Sequence, residues 1–184
     1  MTQTVHDKNG ALGLVQIYTG PGKGKTTAAL GLAIRAIGHG MRVVVIQFLK
    51  GKDRPGEVIF AEKFCPSLLR FHRFGTGEFI INRQATPEEV ASAKEGMAAA
   101  AEIVASGGAD ILILDEISHA VNLNLVSAQE VNDLLAARRY PMEIILTGRD
   151  FPEEILEQAN LISEIQEIKH PFGEGISARK GIEY

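Results

Sequence analysis

Tryptophan is absent from this chain and cysteine occurs once, as Cys65. A single thiol excludes an internal disulfide framework and a cysteine-rich zinc site. No apolar run approaches the ~20 residues that a membrane-spanning helix needs. The start, MTQTVHDKNG, has no basic segment leading into an apolar core, so it does not read as a secretory signal. A cytoplasmic protein without a membrane partner is expected. Basic clusters are also missing: 19 Lys and Arg stand against 23 Asp and Glu, for a net charge of −4. Nucleic-acid binding rests largely on clustered Lys and Arg that neutralise phosphates, so no nucleic-acid partner is expected. The Gly-x-Ser-x-Gly elbow, the His-Arg-Asp loop of kinases and Cys/His metal spacings are absent as well. The usual nucleophile and base arrangements are therefore excluded.

What is present is a repeated alternation of apolar strands and helical segments. GLVQIYT (13–19), RVVVIQF (42–48), LLRFHRF (68–74), DILILDE (110–116), MEIILTG (142–148) and LISEIQEI (161–168) read as strands. Between them, KTTAALGLAIRAIG, EVIFAEKF, the Ala-rich stretch from Thr86 to about Ser106, VNDLLAARR and PEEILEQA read as helices. Thr86 with Pro87 and Glu89, and Ser127 with Glu130, have the spacing of helix-start caps. Continuous Val, Ile and Leu strands separated by helices predict an α/β fold, a mostly parallel sheet covered on both faces. The 184 residues fit one domain, 1–184, with a flexible polar start over 1–12. In such sheets ligands lie beyond the carboxyl ends of the strands, so the residues just after each strand are the candidates.

After the first strand comes TGPGKGKTT, Thr19 to Thr27. It nearly matches the phosphate loop G-x-x-x-x-G-K-[ST], but Thr19 stands where the first glycine belongs and Gly20 comes one residue late. Gly20, Pro21, Gly22, Lys23, Gly24, Lys25, Thr26 and Thr27 form a loop able to curl round a phosphate, with Lys23 and Lys25 neutralising it. Backbone N–H groups at the following helix start favour the same anion. Thr26 offers a hydroxyl to Mg²⁺, and Asp115 and Glu116, at the end of ILILDE, are placed to bind or orient that ion. Arg35 and Arg149 are further phosphate candidates by residue type. His119 stands undecided between a structural and a catalytic role, and FGTGEFIINRQ (74–84) between a pocket lining and a cap on the core.

These stretches, with GHG at 38–40, VVVIQFLKG, EIILTGR and the ending IKHPFGEGISARKGIEY, resemble the ATP:corrinoid adenosyltransferases acting on cob(I)alamin, over roughly 13–184. The one-residue-shifted loop is part of that likeness. The resemblance implies a RecA-like P-loop fold, a homodimer, and transfer of the 5′-deoxyadenosyl group of ATP to cobalt with release of triphosphate. A reductase electron donor is a candidate partner. Carried over by position, Gly20 to Thr27 and Arg35 would bind triphosphate and Thr26 with Glu116 would hold Mg²⁺, with Asp115 beside them. Lys23, Lys25, Thr26 and Glu116 would stabilise the leaving group, and Thr76, Gly77 and Phe79 would face the corrinoid. The family commonly places a Phe and a Trp after this Thr-Gly; here TGEFIINR has Phe79 alone. Co(I) is itself a strong nucleophile, so the lack of a general base is intelligible.

Three readings stand on sequence: the adenosyltransferase, an ordinary ATPase or kinase with Glu116 as base, and a non-catalytic module that senses ATP or a corrinoid. If Phe79 shields one face of the corrin, Phe79→Ala lowers rates starting from Co(II) more than rates supplied with Co(I). Equal losses from both starting states rule that role out.

Overall fold

A computed structural model describes residues 12–51, 53–78 and 80–184. Phe79, and all but the last residue of the 1–12 start expected to be flexible, lie outside these. The described residues form β1 (Val15–Thr19), α1 (Lys25–Ile37), β2 (Val43–Phe48), α2 (Gly56–Phe64), β3 (Leu69–Phe74), α3 (Pro87–Ser106) and β4 (Ile111–Asp115). They continue with α4 (Ile117–Asn122), α5 (Ala128–Ala136), β5 (Glu143–Thr147), α6 (Glu153–Leu156) and β6 (Leu161–Glu164), and a 3-10 turn closes the order at Pro171–Glu174. The strands build one six-stranded sheet in the order β3-β2-β4-β5-β1-β6, and every neighbouring pair is parallel. This α/β architecture with helices on both faces is consistent with a RecA-like P-loop fold.

Side-chain alternation along the strands divides the core in two. Val44, Ile46, Leu112, Leu114, Ile144 and Leu146 point to one face and pack with α3, α4, α5 and α6. Val43, Val45, Ile111, Ile113 and Ile145 point to the other and pack with Ala29, Ala33 and Ala36 of α1 and Ala61 of α2. The small alanines let α1 lie close over the sheet centre. That closeness sets the first turn of α1 directly above the carboxyl ends of β4 and β5.

Three expectations need correction. β6 is exposed along its whole length, so it is not covered on both faces; it is an edge strand, paired among the described residues with β1. It is also shorter than expected, as is α6. The helix α4 was not legible as one: ISHAVN is too short to show a helical period, and it begins only after Glu116 takes a left-handed backbone, φ 63°.

Both caps form as expected. Thr86 accepts from the Glu89 backbone N–H, and the Glu89 carboxylate accepts from the Thr86 N–H at 2.8 Å. Glu89 also takes two bonds from the Arg83 guanidinium, at 2.8 and 2.6 Å, which ties the segment after β3 to the start of α3. Arg83, followed by the Thr86 N–H, holds the Glu89 carboxyl down at about 2, against an ordinary 4.5. A carboxylate with a depressed folded-state pKa stabilises the fold above its unfolded pKa and loses that contribution as pH falls through the folded one. Stability should therefore fall between about pH 4.5 and pH 2 in the native chain. Urea melts across that range should show Glu89→Gln less stable at neutral pH and with this part of the acid dependence missing.

Candidate nucleotide site

The phosphate loop joins β1 to α1. Gly20 has φ +99°, and a Cβ there would lie 2.5 Å from the Ile165 carbonyl oxygen; a Cβ on Gly22 would lie 2.7 Å from the Gln166 backbone. The Gly22 N–H donates to the Ile165 carbonyl at 2.7 Å. The glycines thus allow the loop to seat against the segment leaving β6. Lys25, buried at the start of α1, folds back over the loop and donates to the carbonyls of Gly20 and Gly22, both at 2.7 Å. Burial lowers its pKa from the ordinary value, as does the nearby Arg149 charge, against opposite pulls from Glu116, Asp115 and Asp150. A cation already drawn from water beside an anion cradle pairs strongly with phosphate.

Thr26 follows, and its hydroxyl donates to Asp115 Oδ1 at 2.7 Å. Asp115 has no exposed surface. It accepts a second hydroxyl, from Thr147 of β5, at 2.7 Å on the same oxygen, and the Gln47 amide at 3.1 Å on Oδ2. Desolvation raises its pKa, with Glu116 adding to the rise, and the Thr147 and Thr26 hydroxyls and the Lys50 charge opposing it. Its three hydrogen-bond donors among the described residues are all neutral. Glu116, set apart by its left-handed backbone, donates its N–H to Thr147 Oγ1 at 3.0 Å. Its carboxylate meets His119 Nδ1 at 2.5 Å and Lys50 Nζ at 3.9 Å. Burial pushes the Glu116 carboxyl up, but His119, Lys50 and Lys25 outweigh it and leave it below the ordinary value.

Thr26, Asp115 and Glu116 suit a magnesium ion. Among the described residues no cluster of three or more His, Cys, Asp or Glu forms an all-protein cage. Mg²⁺ does not need one, since it keeps several waters and takes one or two carboxylates plus substrate phosphates. A fully buried carboxylate that meets only neutral donors among the described residues, beside a threonine hydroxyl, offers the negative charge such an ion would offset.

A cavity of about 370 Å³ opens next to this cluster, lined by Thr26, Thr27, Gln47, Lys50, Asp115 and, from the carboxyl terminus, Tyr184 among others. Glu183 bonds Lys23 Nζ at 2.7 Å and is held by Arg179 at 3.1 Å. The tail, which showed no periodicity, thus forms a wall of the cavity and engages one of the two loop lysines.

The structure brings Gly20 to Thr27, Asp115 and Glu116 together. Arg35 is not with them: it is exposed in the last turn of α1, ten residues and about 15 Å along the axis from Lys25. Thr76 turns its hydroxyl to Glu89 at 3.4 Å, while Gly77 packs on Gly51 beside the Lys50 segment. Gln47, Thr147, His119, Lys50 and Glu183 were not assigned roles from sequence. Gln47 and Thr147 do lie at strand ends, and His119 three residues beyond Glu116 was a visible signal for a helical pair.

Replacing Lys25 by Ala removes the buried cation and leaves two loop carbonyls without a donor. Loss of such bonds costs about 1–3 kcal/mol, so the variant should fold with a lowered melting temperature. Its MgATP turnover should drop roughly 100-fold or more, the scale of losing one preorganised electrostatic contact. Normal turnover in the folded variant would contradict a phosphate role for this lysine.

The model of the family described as ATP:corrinoid adenosyltransferase BtuR/CobO/CobP matches residues 11–184. The corrinoid adenosyltransferase of Escherichia coli K12 is 37% identical over 172 residues, which cover 94% of this chain and 86% of that protein. That of a Sinorhizobium species is 36% identical over 173 residues, 94% of this chain and 80% of the relative. The corrinoid adenosyltransferase CobA of Salmonella typhimurium is 36% identical over 172 residues, with 94% and 86% covered. A phosphate loop facing a buried strand-end carboxylate, within a match of this extent, places the chain in the ATP:corrinoid adenosyltransferase family, enzymes that transfer an adenosyl group from ATP to a corrinoid.

Proposed function

We propose that the phosphate loop of this chain binds the triphosphate of ATP while the 5′-deoxyadenosyl group passes to the Co(I) centre of a corrinoid, releasing triphosphate for adenosylcobalamin synthesis or salvage. The observation that carries this reading is the Thr26–Asp115 pair lining the 370 Å³ cavity, next in the chain to Lys25 folded over its loop, in a chain of this family. The bond broken lies at ribose C5′, and the bond formed joins C5′ to cobalt, whose electron pair makes the attack. The oxygen that leaves C5′ carries away the pair of the broken bond on triphosphate.

No side chain has to remove a proton in this reaction. The protein's tasks are to hold C5′ in line with the metal of its substrate and to stabilise the charge that develops on triphosphate. Lys25, Lys23 and the loop N–H groups supply positive charge where that charge grows. Lys23 reaches the phosphates by exchanging Glu183 for them. Thr26, Asp115 and Glu116 would hold Mg²⁺, which when bound offsets phosphate charge.

Glu116 is less suited to act as a base toward water, because His119 and Lys50 already favour its ionised form and lower its proton affinity. Thr76, Gly77 and Phe79 belong to the corrinoid side in this reading. No described helix is long and apolar enough to cross a membrane. A cytoplasmic homodimer served by a reductase completes the proposal.

The test is an anoxic assay with ATP, Mg²⁺ and chemically reduced cobalamin. Triphosphate and a light-sensitive adenosylated corrinoid should appear in equal amounts as the Co(I) absorbance decays. Formation of ADP without an adenosylated product would make the site one for phosphoryl transfer. Binding of both substrates with no product would make the chain a sensor.

A further inference from the structure

Parallel registers carry a line of polar side chains across the sheet just where the strands end. Arg73 of β3 is level with Gln47 of β2, and Gln47 is level with Asp115 of β4. All three continue the strand faces that bear Val45, Ile113 and Phe71, the side covered by α1 and α2. Contacts follow the registers. Arg73 Nε donates to Gln47 Oε1 at 3.0 Å, and Gln47 Nε2 donates to Asp115 Oδ2 at 3.1 Å.

Gln47 is 2% exposed, so water does not substitute for either partner. A guanidinium only donates and a carboxylate only accepts, which leaves the amide one orientation. The rest of the Arg73 fork bonds the Asp53 carbonyl and, at 3.2 Å, the Asp53 carboxylate. Asp53 and Lys50 belong to the segment after β2, and both line the 370 Å³ cavity. Arg73 lines it too, and it also lines the neighbouring cavity of about 630 Å³ between α2 and α3. One planar side chain therefore serves Asp115, one bond removed, and the wall that carries Lys50.

We propose that Arg73 is a positioning residue of the nucleotide site: through Gln47 it fixes the Asp115 carboxylate, and through Asp53 it holds the Lys50-bearing segment against the cavity. This rests on the reading that the cavity takes MgATP. Without the guanidinium the Gln47 carbonyl loses its donor among the described residues, the amide is free to turn, and Asp115 loses the one described group that bonds its Oδ2. Lysine is no equivalent, because a single ammonium cannot reproduce the planar fork toward Gln47 and Asp53 together.

A double-mutant cycle tests the chain of contacts. Arg73→Met, Gln47→Met and the double variant are compared with the native chain in MgATP affinity by calorimetry, a readout that needs no corrinoid turnover, and in melting temperature. Each single change should weaken MgATP binding about tenfold, and the double no more than the worse single, because both break one path. Losses that multiply to about 100-fold, or an Arg73→Met protein that binds as the native one does, overturn the proposal. So does a loss of affinity that only tracks a fall in melting temperature. Should Arg73→Met not fold, Arg73→Lys takes its place in the cycle, with the same coupling expected.

Native protein that binds MgATP but gives no triphosphate with reduced cobalamin contradicts the proposed reaction, and the cycle still decides the role of Arg73. Multiplying losses in an enzyme that does release triphosphate contradict the role of Arg73 alone. Native protein that binds no MgATP contradicts both.

Discussion

A carboxylate sits at the centre of this molecule with no surface exposed to water. Burying an ionised group costs several kcal/mol unless hydrogen bonds replace its water, and Asp115 gathers its replacements from three separate elements. Thr26 comes from the start of α1, Thr147 from the end of β5 and Gln47 from β2. Meeting that demand aligns the phosphate loop with the strand ends, because Thr26 cannot reach Asp115 unless α1 begins above β4. The sheet order supports the same arrangement: β5 lies between β1 and β4, and its terminal threonine fills the gap between loop and carboxylate.

Around this centre three lysines are held by internal partners. Lys25 is buried against loop carbonyls, Lys23 is engaged by Glu183, and Lys50 lies 3.9 Å from Glu116. Each lysine thus has an internal oxygen partner, two of them carboxylates, at the place where phosphate oxygens would come. In the proposed reaction, substrate binding is an exchange of partners instead of a capture of free charge. The carboxyl-terminal residues matter for the same reason, since Glu183 holds Lys23 beside the cavity. The proposed reaction, with no proton to move, would depend on this order being present before substrate arrives.

Much of the fold was legible because its signals are local. Buried strands such as VVVIQF and ILILD show unbroken apolar runs, and the Thr86 and Ser127 caps place oxygens and carboxylates at fixed short spacing. The turn of Gly20 to Thr27 between β1 and α1 could be read for a similar reason, since its glycines and lysines lie within a few residues of one another. Errors arose where the environment decides. LISE carries strand residues, yet its place at the sheet edge leaves it exposed. Where Arg35 stands along α1, exposed in its last turn, is likewise set by the helix and not by residue type.

By itself the sequence determined the parallel α/β character, the glycine-rich turn between β1 and α1, the paired carboxylates at the end of β4 and the likeness to one enzyme family, because each rests on neighbours in the chain or on a run of residues. Tertiary structure alone decided which strand ends meet. Arg73, Gln47 and Asp115 are separated by 26 and 68 residues, yet parallel register sets them in one row. It also decided that the aperiodic tail returns to Lys23 across 160 residues. Such pairings are fixed by sheet order and by the need of buried polar groups for partners, and neither leaves a mark in the local pattern of residues.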